Sequence, residues 1–132
     1  MSMRDPFHPS SGSLDLAAIL AALSDPTRLS ILLRLAEAEA AIRCGDFTDL
    51  ATKSNLSYHF AKMREAGLVS LRSEGTSRFL TLRRDDIEQQ FPGLLDQLIA
   101  SAKRMEDRTT KLQSAASADA SKGRGLRKSV QS

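Results

Sequence analysis

Apolar residues recur along the chain with two periods: helical spacing over most of its length, and alternation between Leu68 and Arg83. The sharpest helical stripe is Leu56, Phe60 and Met63, at i, i+4 and i+7, which predicts one core-facing line on a helix. Thr52 stands where an N-cap belongs, its hydroxyl able to accept from orphan N–H groups of the first turn. Gly67 stands where a left-handed residue closes a helix, and Leu68 and Val69 begin the extended segment.

Upstream, Ser13 is expected to cap a helix through Leu14, Leu16, Ile19, Leu20 and Leu23. That helix is apolar around much of its circumference, which predicts a second buried contact, in the core or across a dimer interface. Asp25-Pro26 reads as a cap followed by the proline that the first helical position tolerates. Leu29, Leu32, Leu33 and Ala36 continue at i, i+3, i+4, i+7, widened by Ile31 and Leu35, so this helix should be the centre of the core and run to Glu39–Ala41. Asp46–Ala51 predicts a short, irregular helix with Phe47 and Leu50 inward.

After Gly67, Leu68–Ser73 and Ser77–Arg83 flank Glu74-Gly75-Thr76 and predict a β-hairpin. Asp85-Asp86 starts another helix, which Phe91-Pro92-Gly93 interrupts. Leu94, Leu95, Leu98 and Ile99 then restore an apolar face on a last helix expected to reach Met105–Lys111. The fold class is mainly α with a small β-hairpin. Residues 1–12, rich in Pro, Ser and Gly, and the basic stretch 113–132 with Lys122, Arg124, Arg127 and Lys128 read as disordered, leaving one domain over 13–112.

Charge sharpens this outline. The net charge of +3 is the sum of a balance of −3 over residues 1–52, +5 over 53–84, −4 over 85–99 and +5 over 100–132. The basic excess falls on the helix after Thr52, on the hairpin and on the C-terminal stretch, the footprint of a polyanionic partner or of a solvated face. No apolar run approaches the ~20 residues a membrane span needs. Neither a signal-peptide core nor paired cysteines appear, so a cytoplasmic address is expected and no membrane partner.

The positions opposite and flanking Leu56, Phe60 and Met63 carry Ser54, Asn55, Ser57, Tyr58, Ala61 and Lys62, with Lys53 before them as a candidate phosphate contact. This outer face is short-chained and polar, and no acid precedes Glu65, whereas an ordinary surface helix mixes Glu and Lys. Such a face suits the major groove of double-stranded DNA, where base edges present donors and acceptors. His59 lies at the edge of the stripe, placed to pack or to meet a phosphate. Arg72 and Arg78 flank the hairpin tip, where they could reach phosphate or simply face solvent. Catalytic groupings are missing: no Ser-His-Asp set, no glycine-rich phosphate loop and no paired carboxylates around an evident pocket. One cysteine and two distant histidines cannot give a subunit the ligands a thiophilic metal needs, and no cofactor is implied. Cys44 is the one candidate thiol sensor, with a small buried hydrophobe as the alternative role.

Ser24-Asp25-Pro26-Thr27-Arg28-Leu29-Ser30-Ile31-Leu32 resembles the opening signature of ArsR-type winged-helix repressors. Leu56-Ser57-Tyr58-His59-Phe60, then Arg64-Glu65-Ala66-Gly67-Leu68-Val69, is similar to their recognition helix and its exit, and Glu74-Gly75-Thr76 to their wing turn. The resemblance covers about Leu14–Leu98. It implies a winged helix-turn-helix and a homodimeric, DNA-binding transcriptional regulator, and the whole chain is read as a repressor that binds a palindromic operator. Its recognition face would be Ser54, Asn55, Ser57, Tyr58 and Lys62. Its dimer interface would come from the first and last helices, here Leu16, Ile19, Leu20, Leu23, Leu94, Leu95, Leu98 and Ile99. The chain departs from the family's metal sensors: Ile42-Arg43-Cys44-Gly45-Asp46-Phe47 holds a single thiol, and no histidine follows His59. Metal sensing is therefore not carried over. Two other readings remain beside the plain repressor: one switched through the Cys44 thiol, and a protein-interaction module that kept the fold without an operator.

Overall fold

Asp15, rather than Ser13, opens the first helix, α1 (Leu16–Ala22), accepting from the Ala18 N–H at 3.0 Å. The Ser13 hydroxyl is already committed, donating to the Ser10 carbonyl at 2.9 Å in a 3₁₀ turn over Ser11–Ser13. Asp25 caps α2 (Pro26–Ala38) as expected, accepting from the N–H groups of Thr27 and Arg28 at 2.8 and 3.2 Å. The helix stops one to three residues short of the expected end at Glu39–Ala41, because Glu39 takes a left-handed φ of 54°. The computed structural model describes residues 6–122, with side chains as far as residue 116. It divides into two units, Met1–Ile99 and Ala100–Ser132.

Beyond α2 the sheet is larger than the hairpin that alternation predicts. A two-residue strand, β1 (Ile42–Arg43), precedes β2 (Val69–Glu74) and β3 (Ser77–Leu82), in the order β1-β3-β2. Ile42 pairs with Leu80 and Arg43 with Phe79, while the hairpin runs in register from Val69↔Leu82 to Glu74↔Ser77, its turn closed by Gly75 at φ 60°. A helix of Asp46–Ala51 is not found. Cys44–Phe47 instead forms a 3₁₀ turn, followed by α3 (Lys53–Glu65). After the hairpin come α4 (Arg84–Gln90) and α5 (Leu94–Lys122), separated at Gly93 with φ 82°. This is a winged helix-turn-helix with helices at both ends.

The core of the first unit is built by Ile19 and Leu23 of α1, the Ile31-Leu32-Leu35 face of α2, Phe47, the α3 stripe, the strand residues Leu68, Val69, Leu71 and Leu80, then Ile87 and Leu95. Ile19, Leu23 and Leu95, expected at a dimer interface, thus belong to the subunit's own interior. Leu98 and Ile99 are part-buried against the same core, and Leu16 and Leu20 are left exposed.

Both ends differ from expectation. Residues 6–13 hold a defined path rather than disorder, because three side-chain bonds tie them to the domain. The boundary expected at 112 falls inside α5, which continues to Lys122. Alanines 115, 116, 118 and 120 explain it: a low-complexity stretch is still a good helix when alanine dominates. Arg124, Arg127 and Lys128 lie outside the described residues. Among the described residues no single helix is long and apolar enough to cross a membrane.

Candidate nucleic-acid interface

Local chemistry sets both ends of α3. Thr52 Oγ1 accepts from the Asn55 N–H at 3.3 Å. At the other end Gly67, at φ 87°, donates to the Arg64 carbonyl, and Leu68 donates to the Met63 carbonyl, both at 3.0 Å. These are the paired bonds of a Schellman stop, which only a left-handed residue completes cheaply. Between the ends, Leu56, Phe60 and Met63 are buried, while Lys53, Ser54, Asn55, Ser57, Tyr58 and Lys62 are exposed. Six polar side chains thus share the outward side of one rigid element.

What holds α3 from behind is a turn rather than a full helix. Phe47 is wholly buried and meets the Phe60 ring edge-on, with centroids 5.4 Å apart. The Arg34 guanidinium lies 5.6 Å from the Phe47 centroid and forks onto both carboxylate oxygens of Asp49 at 2.7 Å. The same side chain donates to the Asp46 carbonyl at 3.1 Å, so α2 clamps the whole turn. Planar, two-point contact is what arginine supplies and lysine does not. Arg34 holds the Asp49 carboxyl below the usual carboxylate range.

His59 is half-buried and differs from its exposed neighbours. Arg28 Nη1 stands 3.1 Å from His59 Nδ1, and since arginine only donates, Nδ1 accepts and the ring proton sits on Nε2. Arg28, at the start of α2, is thereby a positioning residue for α3 that sequence reasoning missed; its place in the Asp-Pro-Thr-Arg motif was visible, its partner was not. Tyr58 is 57% exposed, and Lys62 Nζ stands 5.5 Å from its ring centroid one turn away.

On the wing the two arginines part company. Arg72 is ion-paired to Glu74 and stacks 5.7 Å from the Phe79 centroid, so its charge is partly spent within the hairpin. Arg78 is exposed and close enough to Cys44 to act on its thiol. A cleft of about 340 Å³ opens between the 3₁₀ turn, the start of α3 and the wing tip, lined among others by Cys44, Lys53, Ser57, Thr76 and Arg78. Burial pushes the Cys44 thiol up, and Arg78 opposes that shift. The first turn of α3 holds no acid, and Lys53 stands at its first position. A cation there opposes the helix dipole at a cost of a few tenths of a kcal/mol, and adds to the field that draws an anion. Among the described residues no group of three or more His, Cys, Asp or Glu side chains could hold a metal ion.

Comparison with known proteins gives this geometry its setting. A family model for the helix-turn-helix domain matches residues 23–72, from the end of α1 into β2. The HTH-type transcriptional regulator YceK of Bacillus subtilis is 36% identical over 84 residues, which are 62% of this chain and 84% of that protein. The chain belongs to the ArsR-like helix-turn-helix transcriptional regulators. A second HTH-type regulator, MJ1325 of Methanocaldococcus jannaschii, is 36% identical over 83 residues, 62% of this chain and 92% of that protein. The crystal structure of Mycobacterium tuberculosis Rv0081 superposes with a TM-score of 0.51 at 25% identity, covering 74% of this chain and 90% of that one. The regulator is accordingly a DNA-binding protein and not an enzyme, and its hairpin is the wing of the winged helix-turn-helix.

Proposed function

We infer that the regulator is a repressor that binds a palindromic operator as a homodimer, with α3 of each subunit entering the major groove. The observation that carries this reading is the outward side of α3. Lys53, Ser54, Asn55, Ser57, Tyr58 and Lys62 are all exposed there, no acid lies among them, and Phe47 braces the helix from behind. Ser54, Asn55, Ser57 and Tyr58 read base edges or set the depth of the helix. Lys53, Lys62 and Arg78 neutralise phosphate, and Arg72 joins them to the extent that Glu74 releases it. His59, held at Nδ1 by Arg28, orients the helix and leaves Nε2–H as a donor to phosphate. The dimer is supported by the apolar positions the folded subunit leaves open, Leu16 and Leu20 on α1, and Met105 and Leu112 on α5.

Selection from a random pool of DNA duplexes tests this reading. The chain should enrich a two-fold symmetric site with half-sites about one helical turn apart. Lys62→Ala should weaken every sequence alike and reduce the salt slope by about one per subunit, about two for the dimer, whereas Asn55→Ala should relax preference at one position in each half-site and leave the slope intact. Enrichment of no site would favour an interaction module that kept the fold. Placing the enriched site before a reporter gene then decides the sign of regulation, with lower expression expected.

One observation favours a thiol-switched form of the same repressor: Cys44 lines the cleft that Lys53 and Arg78 enter, so a modified thiol would sit beside two phosphate-binding cations. Release of the enriched duplex by hydrogen peroxide, abolished in Cys44→Ser, would establish it; release that survives the substitution would exclude it.

A further inference from the structure

The segment before α1 crosses the joint between the recognition helix and the wing. Arg64, in the last turn of α3, donates through Nη1 to the Phe7 carbonyl. The Leu71 N–H of β2, an edge strand, donates to His8 Nε2 at 2.9 Å, so the ring proton sits on Nδ1. Arg83, with only 11% of its side chain exposed, donates from Nη1 to the Pro9 carbonyl at 2.7 Å while its Nε bonds Asp86 at 2.9 Å. The backbone N–H of Arg83 reaches the Leu68 carbonyl at 2.9 Å, so this residue also closes the base of the hairpin. Finally Leu14 packs over Gly67 so closely that a Cβ built there would lie 2.1 Å from Leu14 Cδ2, with Pro9 Cγ at 3.4 Å.

Four consecutive stations of the domain, Arg64, Gly67, Leu71 and Arg83, are therefore tied to one strand of chain only eight residues long, Phe7–Leu14. The joint needs such a tie. The hairpin leaves α3 through a single glycine; β1 holds its β3 edge over only two residues, and among the described residues the β2 edge has no strand beside it. An edge-strand N–H with no partner also invites pairing by another chain, and the His8 imidazole covers one.

We propose that Phe7–Leu14 is a strap that sets the angle between recognition helix and wing, with His8 as its positioning residue for DNA binding. The proposal rests on the DNA-binding reading and says which part of the molecule aims the wing. The strap touches no DNA. It acts by keeping Arg78 at a fixed distance from the phosphates that flank the bases α3 reads.

The test uses the full chain, the duplex it enriches from a random pool, and two variants, His8→Ala and His8→Gln. Gln can return an acceptor near the position of Nε2. In His8→Ala, hydrogen exchange of the Leu71 amide should accelerate, affinity should fall about tenfold, and the salt slope should drop by about one per subunit as each wing's phosphate contact is lost. Hydroxyl-radical footprinting should lose the flanking protections and keep those over the bases read by α3. His8→Gln should restore both the footprint and the slow exchange. Unchanged Leu71 exchange in His8→Ala, or an intact flanking footprint despite faster exchange, overturns the proposal and leaves the DNA-binding reading standing. A uniform loss of all protections would mean that the strap only stabilises the fold, which also overturns it. A wild-type chain that enriches no duplex overturns the operator reading, and the strap's role in DNA binding with it.

Discussion

Two opposed effects act on the thiol of Cys44. Half-burial penalises the thiolate and is the larger of the two, while the Arg78 cation favours it. Since the thiolate is the nucleophile, a raised pKa means a smaller reactive fraction at neutral pH than in an exposed cysteine. Alkylation by iodoacetamide at neutral pH should therefore be slower than that of a free thiol, and its rate should rise toward a more alkaline midpoint. Arg78→Gln removes the effect that opposes burial and should slow the reaction further; acceleration would show that Arg78 shields the thiol rather than favouring its thiolate. The stability consequence has a definite sign. A raised folded pKa contributes stability that is present below the pKa of the unfolded thiol and lost as pH rises through the folded one. A peroxide sensor at Cys44 would thus need more help than Arg78 gives it.

Among the elements, the brace of α3 shows what residue patterns reveal and what they hide. Thr52, the Leu56-Phe60-Met63 stripe and Gly67 are local signals, and α3 with its stop was legible from them, as was α2 from Asp25-Pro26. The hairpin register was legible because alternation and a glycine turn fix it. By contrast, β1 is two residues long and exists only because β3 has a free edge, so no periodicity announces it. The strap is held mainly by distant arginines on its carbonyls, which every residue possesses, and carries no signal at all. Phe47 was legible as an inward residue, yet the clamp that makes a four-residue turn sufficient is the long-range pair Arg34–Asp49. Truncating the ring should remove the brace outright: Phe47→Ala should cost about 3–5 kcal/mol in urea denaturation. The clamp has its own signature. Asp49 titrates low because Arg34 bonds its carboxylate, so its contribution is present above the ordinary carboxylate pKa and lost as pH falls through the lowered one. Asp49→Asn should flatten the acid limb of the melting-temperature profile and leave the alkaline limb alone. An unchanged acid limb would mean that the pair forms without stabilising the turn.

At the scale of the whole molecule, the apolar surface left after folding decides how the subunit is used. Leu16 and Leu20 are 42% and 45% exposed one turn apart on α1. Met105 and Leu112 are 50% and 66% exposed, seven residues apart on α5. A spacing of seven suits the seam of paired helices, and Thr109 and Ala116 beside it are small enough for close approach. Ile19, Leu23 and Leu95 fill the subunit's own core, so substituting them would unfold it and test nothing about assembly. The informative variant is Met105→Glu with Leu112→Glu, which puts charge on the seam of α5 and spares the first unit. Sedimentation should show the wild type as a dimer and this variant as a monomer. Since α3, its brace and the wing all lie within Met1–Ile99, the monomer should keep its affinity for a single half-site. It should lose the gain of about 10²–10⁴ that a second, tethered half-site brings on a full palindrome. A variant that remains dimeric would move the interface to α1 alone, to be tested next with Leu20→Glu. A wild type that sediments as a monomer, and binds half-site and palindrome equally, would overturn the two-fold operator while leaving the recognition helix its role.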